Sequence, residues 1–121
     1  MLTFVELKKQ DHEKASKWLD YIKMPEKALT KPQLAYYFYL KGIINPKQNL
    51  SVSEKYLKKA LEIGLRMDQD KAVAKLNLAG IAMNKRRKRE AQTLITEAKK
   101  LDKNNLLKEQ IQIVKQQLKR I

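Results

Sequence analysis

The chain has 121 residues, which suffices for one domain with its own hydrophobic core. It has no cysteine and a single histidine, His12, so disulfides, a thiol nucleophile and a cysteine metal centre are excluded, and we expect no metal site and no cofactor. No apolar run reaches the roughly 20 residues that cross a bilayer, and 27 basic against 13 acidic side chains give a net charge of +14.

The first 30 residues predict part of one helical hairpin. Residues 2–9 form a short amphipathic stretch that corresponds to the end of an inner helix whose beginning is missing. The sequence is therefore either one that starts with a degenerate half-repeat or, as we favour, a piece of a longer protein. A second helix is predicted from its cap, Asp11, to about Met24. Its apolar face comprises Ala15, Trp18, Leu19 and Ile22.

The next predicted helix begins near Thr30 or Lys31 and contains four consecutive aromatic residues at 36–39. Side chains in such a run must point to all sides of a helix. Two interpretations follow for Tyr37 and Tyr39. They are either exposed aromatic residues in a binding groove or residues that cover the edge of the hydrophobic core.

Turn-forming residues at 45–49 end this helix, and an outer helix follows. Either Ser51 or Ser53 is predicted to cap that outer helix; if Ser51 is the cap, Glu54 three residues later completes a capping box. Gly64 predicts its end, because glycine readily adopts the left-handed conformation of a C-terminal cap.

Residues 72–102 predict the best-preserved hairpin, with Asp68 as the candidate cap of its first helix. That helix, from 70 to 85, is apolar on most sides and is therefore expected to be covered by other helices. The second helix has one apolar stripe, which comprises Ala91, Leu94, Ile95, Ala98 and Leu101. A last helix is predicted from Asn104 or Asn105, with one apolar face formed by Leu107, Ile111, Val114, Leu118 and Ile121.

The hairpins repeat with a period of 38 residues and without a gap. This step relates Leu2, Leu40 and Leu78; Val5, Ile43 and Ile81; Ala15, Ser53 and Ala91; Trp18, Tyr56 and Leu94; Leu19, Leu57 and Ile95; and Ile22, Ala60 and Ala98. Self-similarity at such an interval is typical of stacked helical hairpins. We therefore predict an all-α fold, an α-solenoid of antiparallel helical hairpins with about seven helices.

The best-preserved hairpin resembles a tetratricopeptide repeat (TPR), whose pattern is W-x2-L-G-x2-Y, then A-x3-F, then A and P. The matching residues are Leu78, Ala79, Ala82, Ala91, Ile95 and Ala98. The departures are Lys75 for the tryptophan, Ala82 for the tyrosine, Lys103 for the proline, and a period longer than about 34 residues. The resemblance implies one right-handed TPR-like domain. Its parts are a partial repeat at 1–30, repeats at 31–67 and 68–103, and a capping helix at 104–121.

In function, the resemblance implies a non-enzymatic scaffold for protein–protein interaction, whose inner helices line a groove for a partner peptide or helix. The net charge favours an acidic partner, and the missing cysteines favour a reducing compartment such as the cytoplasm. The groove residues that the repeat implies are Tyr39, Asn77, Asn84, Lys8 and Lys115. Asparagine side chains there would bind a peptide backbone, and lysines would bind carboxylates.

Two alternatives remain open. A nucleic-acid-binding repeat protein would use the basic patch, which is the run of Lys85, Arg86, Arg87, Lys88 and Arg89. The same run is also consistent with an ordinary solvated turn. The second alternative is the cytoplasmic domain of a membrane-tethered protein, whose basic surface faces anionic lipid. An enzyme is not predicted, because the sequence contains no phosphate loop, no nucleophile with a matching base and no ligand cluster.

Overall fold

A computed structural model describes residues 14, 17–19, 21–22, 24–44 and 49–120 of the chain. Regular structure within these residues is helical, without a strand, which confirms the predicted all-α class. The helices are α1 (Pro25–Ala28), α2 (Lys31–Ile44), α3 (Leu50–Ile63), α4 (Asp68–Asn84), α5 (Lys88–Leu101) and α6 (Lys108–Lys119). About seven were predicted; the first of these, at 2–9, lies outside the described residues. The backbone is also helical at residues 14, 17–19 and 21, within the second predicted helix.

The chain divides after Arg66 into two compact units, the second of which is Met67–Ile121. In the first unit, α2 and α3 pack against each other as a hairpin. Gly42 lies at their contact, where a Cβ atom would come within 2.6 Å of Cγ of Leu57. The missing side chain therefore allows α2 to approach α3 closely.

The aromatic run of α2 is part of the core of the first unit. Tyr37 and Tyr39 are only 7% and 5% exposed, so their predicted exposure in a groove is wrong and the alternative, that they cover the core, is confirmed. The ring of Tyr37 lies 5.9 Å from that of Trp18, and Tyr36 contacts both Trp18 and Tyr39. Tyr37 and Tyr39 are buried because an aromatic side chain contributes a large apolar area to a small core, whereas Tyr36 is 42% exposed.

Side chains near the ends of α2 and α3 satisfy backbone groups that helix termini leave without partners. The side-chain oxygen of Gln33 accepts the backbone N–H of Thr30, just before α2. The cap of α3 is Asn49, whose side chain accepts the N–H of Ser51 at 2.7 Å, so the prediction of Ser51 or Ser53 as the cap is wrong. Gly64 ends α3 with φ of 110°, as predicted.

The second unit consists of α4, α5 and α6, and α6 packs on both of the other helices. The buried residues of α4 are Ala72, Val73, Ala74, Leu76, Asn77, Leu78, Ala79, Gly80, Ile81, Ala82 and Met83. Only one stripe is buried on α5, formed by Ala91, Ile95 and Ala98. This difference confirms the predicted contrast between a helix apolar on most sides and a helix with one apolar face.

Two helix boundaries in the second unit differ from the sequence-based prediction. Asp68 is the first residue of α4 rather than its cap. The last helix begins at Lys108 rather than at Asn104 or Asn105, because the carboxylate of Asp102 holds the intervening turn. The helical pattern alone does not show such a side-chain bond to the backbone.

Burial repeats along the chain with the 38-residue period. Leu40 and Leu78 are both buried, and so are Leu57 and Ile95. The solenoid arrangement of these hairpins stays a prediction. None of the helices in the described part of the chain has both the length and the apolar character that crossing a bilayer requires.

Candidate functional site

The second unit has an unbalanced surface charge. Residues 67–121 contain fourteen basic and six acidic side chains, a net charge of +8. Acidic side chains are fewer at this surface: Glu109 is exposed, and the side chains of Asp68 and Glu97 are 43% and 46% exposed. Ten basic residues are exposed: Arg86, Arg87, Lys88, Arg89, Lys99, Lys100, Lys103, Lys108, Lys119 and Arg120. A surface of this composition attracts anions.

Two other acidic side chains of this unit form ion pairs with its lysines. Asp68 forms ion pairs with Lys71 at 3.6 Å and with Lys103 at 3.4 Å. Glu97 on α5 pairs with Lys75 on α4 at 3.4 Å. These carboxylates therefore offset nearby cations but leave most of the surface lysines and arginines uncompensated.

A pocket of about 200 Å³ lies where α5 ends and α6 begins. Its lining residues are Lys99, Asp102, Asn105, Lys108, Ile111, Gln112 and Lys115. Lys99 comes from the last turn of α5, Lys108 from the first residue of α6, and Lys115 from two turns later on α6. The turn between the two helices thus brings three lysine residues to the lining of one cavity.

Like charges are close to each other in this pocket. Repulsion by Lys99 is the main cause that lowers the pKa of Lys115 from its ordinary value of 10.5. Partial burial, a side-chain contact with Lys99 and repulsion by Lys119 lower this pKa further. The pocket therefore holds its cations in an arrangement that an anion would stabilise.

Asp102 gives the pocket its shape and its only carboxylate. Its side chain is buried, and its two oxygens accept the N–H groups of Leu106 at 3.1 Å and Leu107 at 2.8 Å. Asn105 within this turn has φ of 55°, a left-handed conformation that asparagine tolerates well. The carboxylate is thus directed at the backbone and holds α6 in place beside α5.

The predicted basic patch lies at the other end of α5. Residues 86–89 are exposed, and Arg86 ends α4 in the left-handed conformation, with φ of 61°. Arg87 donates its backbone N–H to the carbonyl of Ala82 and pairs with Glu90 at 3.7 Å. At 1.5 Å per residue, α5 separates the patch from the lysine-lined pocket by about 20 Å.

Two of the predicted groove residues are not at the surface. Tyr39 is 5% exposed, and Asn77, 38 residues later, is 2% exposed. The side chain of Asn77 donates to the carbonyl of Val73 at 2.9 Å, within its own helix. Both residues were expected to be accessible to a partner, and that expectation is wrong because their faces of α2 and α4 are covered.

The other groove predictions have different outcomes. Asn84 is exposed at the end of α4, and Lys8 lies outside the described residues. Lys115 is half-buried in the lysine-lined pocket. Lys99 and Lys108 were not predicted as its neighbours. Lys108 is seven residues before Lys115, a spacing that places both on one face of a helix, whereas no repeat or helical spacing relates Lys99 to Lys115. A further signal was the Asn104–Asn105 pair, which marks a turn.

The described residues contain no group of three or more histidine, aspartate and glutamate side chains that could hold a metal ion. No family model matches the chain, and no curated protein or solved structure is significantly similar to it.

Proposed function

We propose that this protein is a non-enzymatic, TPR-like binding protein that holds an acidic polypeptide on the basic surface of its second unit. The observation that carries this proposal is the charge of that surface, where ten basic residues are exposed and the net charge of residues 67–121 is +8. The paired helices and the 38-residue repetition of burial support the TPR-like part of the proposal. A location in the cytoplasm stays part of the same proposal.

Exposed apolar side chains favour a polypeptide as the partner. Leu106 is 65% exposed, and Ile113 on α6 is 48% exposed. Residues 67–121 contain no aromatic side chain, so this surface has no ring on which a base of single-stranded nucleic acid could stack. Acidic and apolar side chains of a peptide would both find complementary contacts around α6.

Nucleic-acid binding is the second candidate, and the exposed basic patch favours it. Four consecutive residues, 86–89, are exposed cations at one end of the α4–α5 hairpin. Binding to the phosphates of a duplex requires such positive charge and does not depend on aromatic side chains. A nucleic acid would therefore bind at the end of the second unit that is opposite to Leu106.

The two candidates can be separated with three charge-reversal variants of the full chain. One changes Lys100, Lys103 and Lys119 to Glu near α6. The second changes Arg86, Lys88 and Arg89 to Glu in the basic patch. The control changes the exposed Lys17, Lys27 and Lys31 of the first unit to Glu, with the same change in net charge.

Fluorescence anisotropy then measures binding of a labelled peptide of alternating glutamate and leucine, and of a labelled DNA duplex. We expect the peptide to bind more tightly than DNA, and the α6 variant to lose about tenfold or more in peptide affinity. The control should stay within about threefold. Tighter binding of DNA, lost in the basic-patch variant, would instead establish the second candidate. An absence of binding to either ligand would overturn both.

A further inference from the structure

We propose that the lysine-lined pocket between α5 and α6 binds one phosphate group, through Lys99, Lys108 and Lys115. This site goes beyond the acidic-polypeptide surface and does not depend on it. The phosphate group is either free or attached to a larger molecule, and the pocket recognises the chemistry that both forms share.

The size and composition of the pocket fit a hydrated oxyanion. Its volume of about 200 Å³ exceeds that of a few water molecules, each about 30 Å³. Ile111 is the only apolar residue in its lining. A large apolar ligand would gain little contact there, whereas a small polar group finds charged and amide side chains on several sides.

The charge of the pocket matches a dianion. Three ammonium groups and the carboxylate of Asp102 give the lining residues a net charge of +2. Phosphate carries −1.5 to −2 near neutral pH and has oxygens that accept several hydrogen bonds, as estimated for phosphorylated side chains. The amide side chains of Asn105 and Gln112 are further donors that require no additional charge.

Asp102 would not compete strongly with a phosphate for the lysines. Its two oxygens already accept backbone N–H groups of the turn, at 3.1 and 2.8 Å. The ammonium groups of Lys99 and Lys115 repel each other, which contributes to the lowered pKa of Lys115. A phosphate between Lys99 and Lys115 would replace this repulsion by two charge-assisted hydrogen bonds.

The test is a titration of the full chain with inorganic phosphate at constant ionic strength, with sodium chloride as the balancing salt. Amide chemical shifts in an NMR spectrum report where the anion binds. We expect the largest changes at Asn105, Lys108 and Gln112. The Lys115→Gln variant should lose about tenfold in affinity, since one charge-assisted hydrogen bond is removed.

Two variants serve as controls. Lys115→Arg keeps the charge and should retain binding within a few-fold. Lys100→Gln removes a neighbouring exposed charge that does not line the pocket, and its affinity should stay within about twofold. Equal losses of phosphate affinity in Lys100→Gln and Lys115→Gln would overturn the proposed site. Chemical-shift changes spread evenly over all basic residues, including those of the basic patch, would also overturn it.

A second arm identifies the source of the phosphate. A phosphoserine peptide is compared with the same peptide carrying serine and with inorganic phosphate. Tighter binding of the phosphopeptide than of both others, lost in Lys115→Gln, indicates a phosphorylated partner. Equal affinity for phosphopeptide and phosphate indicates a site for the free anion. If the Lys115→Gln variant binds all three ligands as tightly as the unsubstituted protein does, the proposal is overturned.

Discussion

Lys115 illustrates how a single side chain can serve binding at the expense of stability. Its pKa is lowered by the neighbouring Lys99, which means that the folded state disfavours the charged form of Lys115. The unfolded chain lacks this repulsion. At neutral pH the protonated lysine therefore destabilises the fold, and the effect disappears as the pH rises through the lowered pKa toward 10.5.

We accordingly predict that Lys115→Gln raises the melting temperature at pH 7, while it weakens phosphate binding. This gain in melting temperature should diminish as the pH is raised through the lowered pKa of Lys115. At that pH Lys115 of the unsubstituted protein loses its proton and therefore its charge. Thermal unfolding followed by circular dichroism between pH 7 and pH 10.5 measures this effect. A lower melting temperature at pH 7 would contradict the prediction.

Gly42 stabilises the fold because it has no side chain at the close contact between α2 and α3. Gly42→Ala should destabilise the protein by about 1–3 kcal/mol, although alanine favours a helix, because its Cβ would meet the side chain of Leu57. Urea unfolding measures the change. In a Leu57→Ala background the clash is removed, so the same substitution there should cost less or become stabilising. An equal cost in both backgrounds would exclude this explanation.

At the scale of an element, α6 is the helix that completes the second unit. Its buried face comprises Ile111, Val114 and Leu118, and α4 and α5 are the helices that it contacts within the unit. Its start is set by Asp102, outside the helix, rather than by a residue of its own first turn. Helix α6 thus depends on packing for its stability and on the side chain of Asp102, in the preceding turn, for its position.

Two isoleucines of α6 allow a matched comparison. Ile111 is 4% exposed and Ile113 is 48% exposed, on the same helix. Ile111→Ala should cost about 2–5 kcal/mol in the free energy of unfolding, because it leaves a cavity in the core. Ile113→Ala should change it by less than about 0.5 kcal/mol. Chemical denaturation of both variants tests this, and equal costs would show that α6 is not packed by the face described.

At the scale of the whole molecule, the proposed polypeptide binding depends on exposed charge. Exposed charges are screened over about 10 Å at 0.1 M salt and about 3 Å at 1 M. We therefore predict that affinity for the acidic peptide falls by at least about tenfold between these concentrations. The salt dependence of the anisotropy titration measures the effect. Affinity that does not change with salt would indicate apolar contacts, such as those of Leu106 and Ile113, as the main source of binding.

Much of the fold could be predicted from the sequence because helices follow local rules. The apolar spacing and the 38-residue period located the helices from α2 to α6 but not the short α1, and matching positions such as Leu57 and Ile95 are buried alike. Helix starts were less predictable. Asn49 and Asp102 hold the starts of α3 and α6 through side-chain bonds to the backbone, and several nearby residues could have made such bonds equally well.

The candidate site was only partly predictable, for a similar reason. Lys115 was identified, but its neighbour Lys99 lies on another helix, and nothing in the repeat relates the two residues. Tyr39 and Asn77 have polar groups, which made exposure plausible, yet packing covers them. A polar group on a helix that is apolar on most sides does not by itself indicate an exposed position.

By itself, the sequence determined the helical class, the repeat period, the apolar faces and the excess of positive charge. These properties depend on residue type and on spacing along one chain. Only the tertiary structure decided which charges meet and which aromatic rings are buried. The physical reason is that such contacts join separate helices, so they depend on how a turn directs one helix against the next. The pocket beside Asp102 is the clearest example, since Lys99 lies on a different helix from Lys108 and Lys115 and shares no sequence pattern with them.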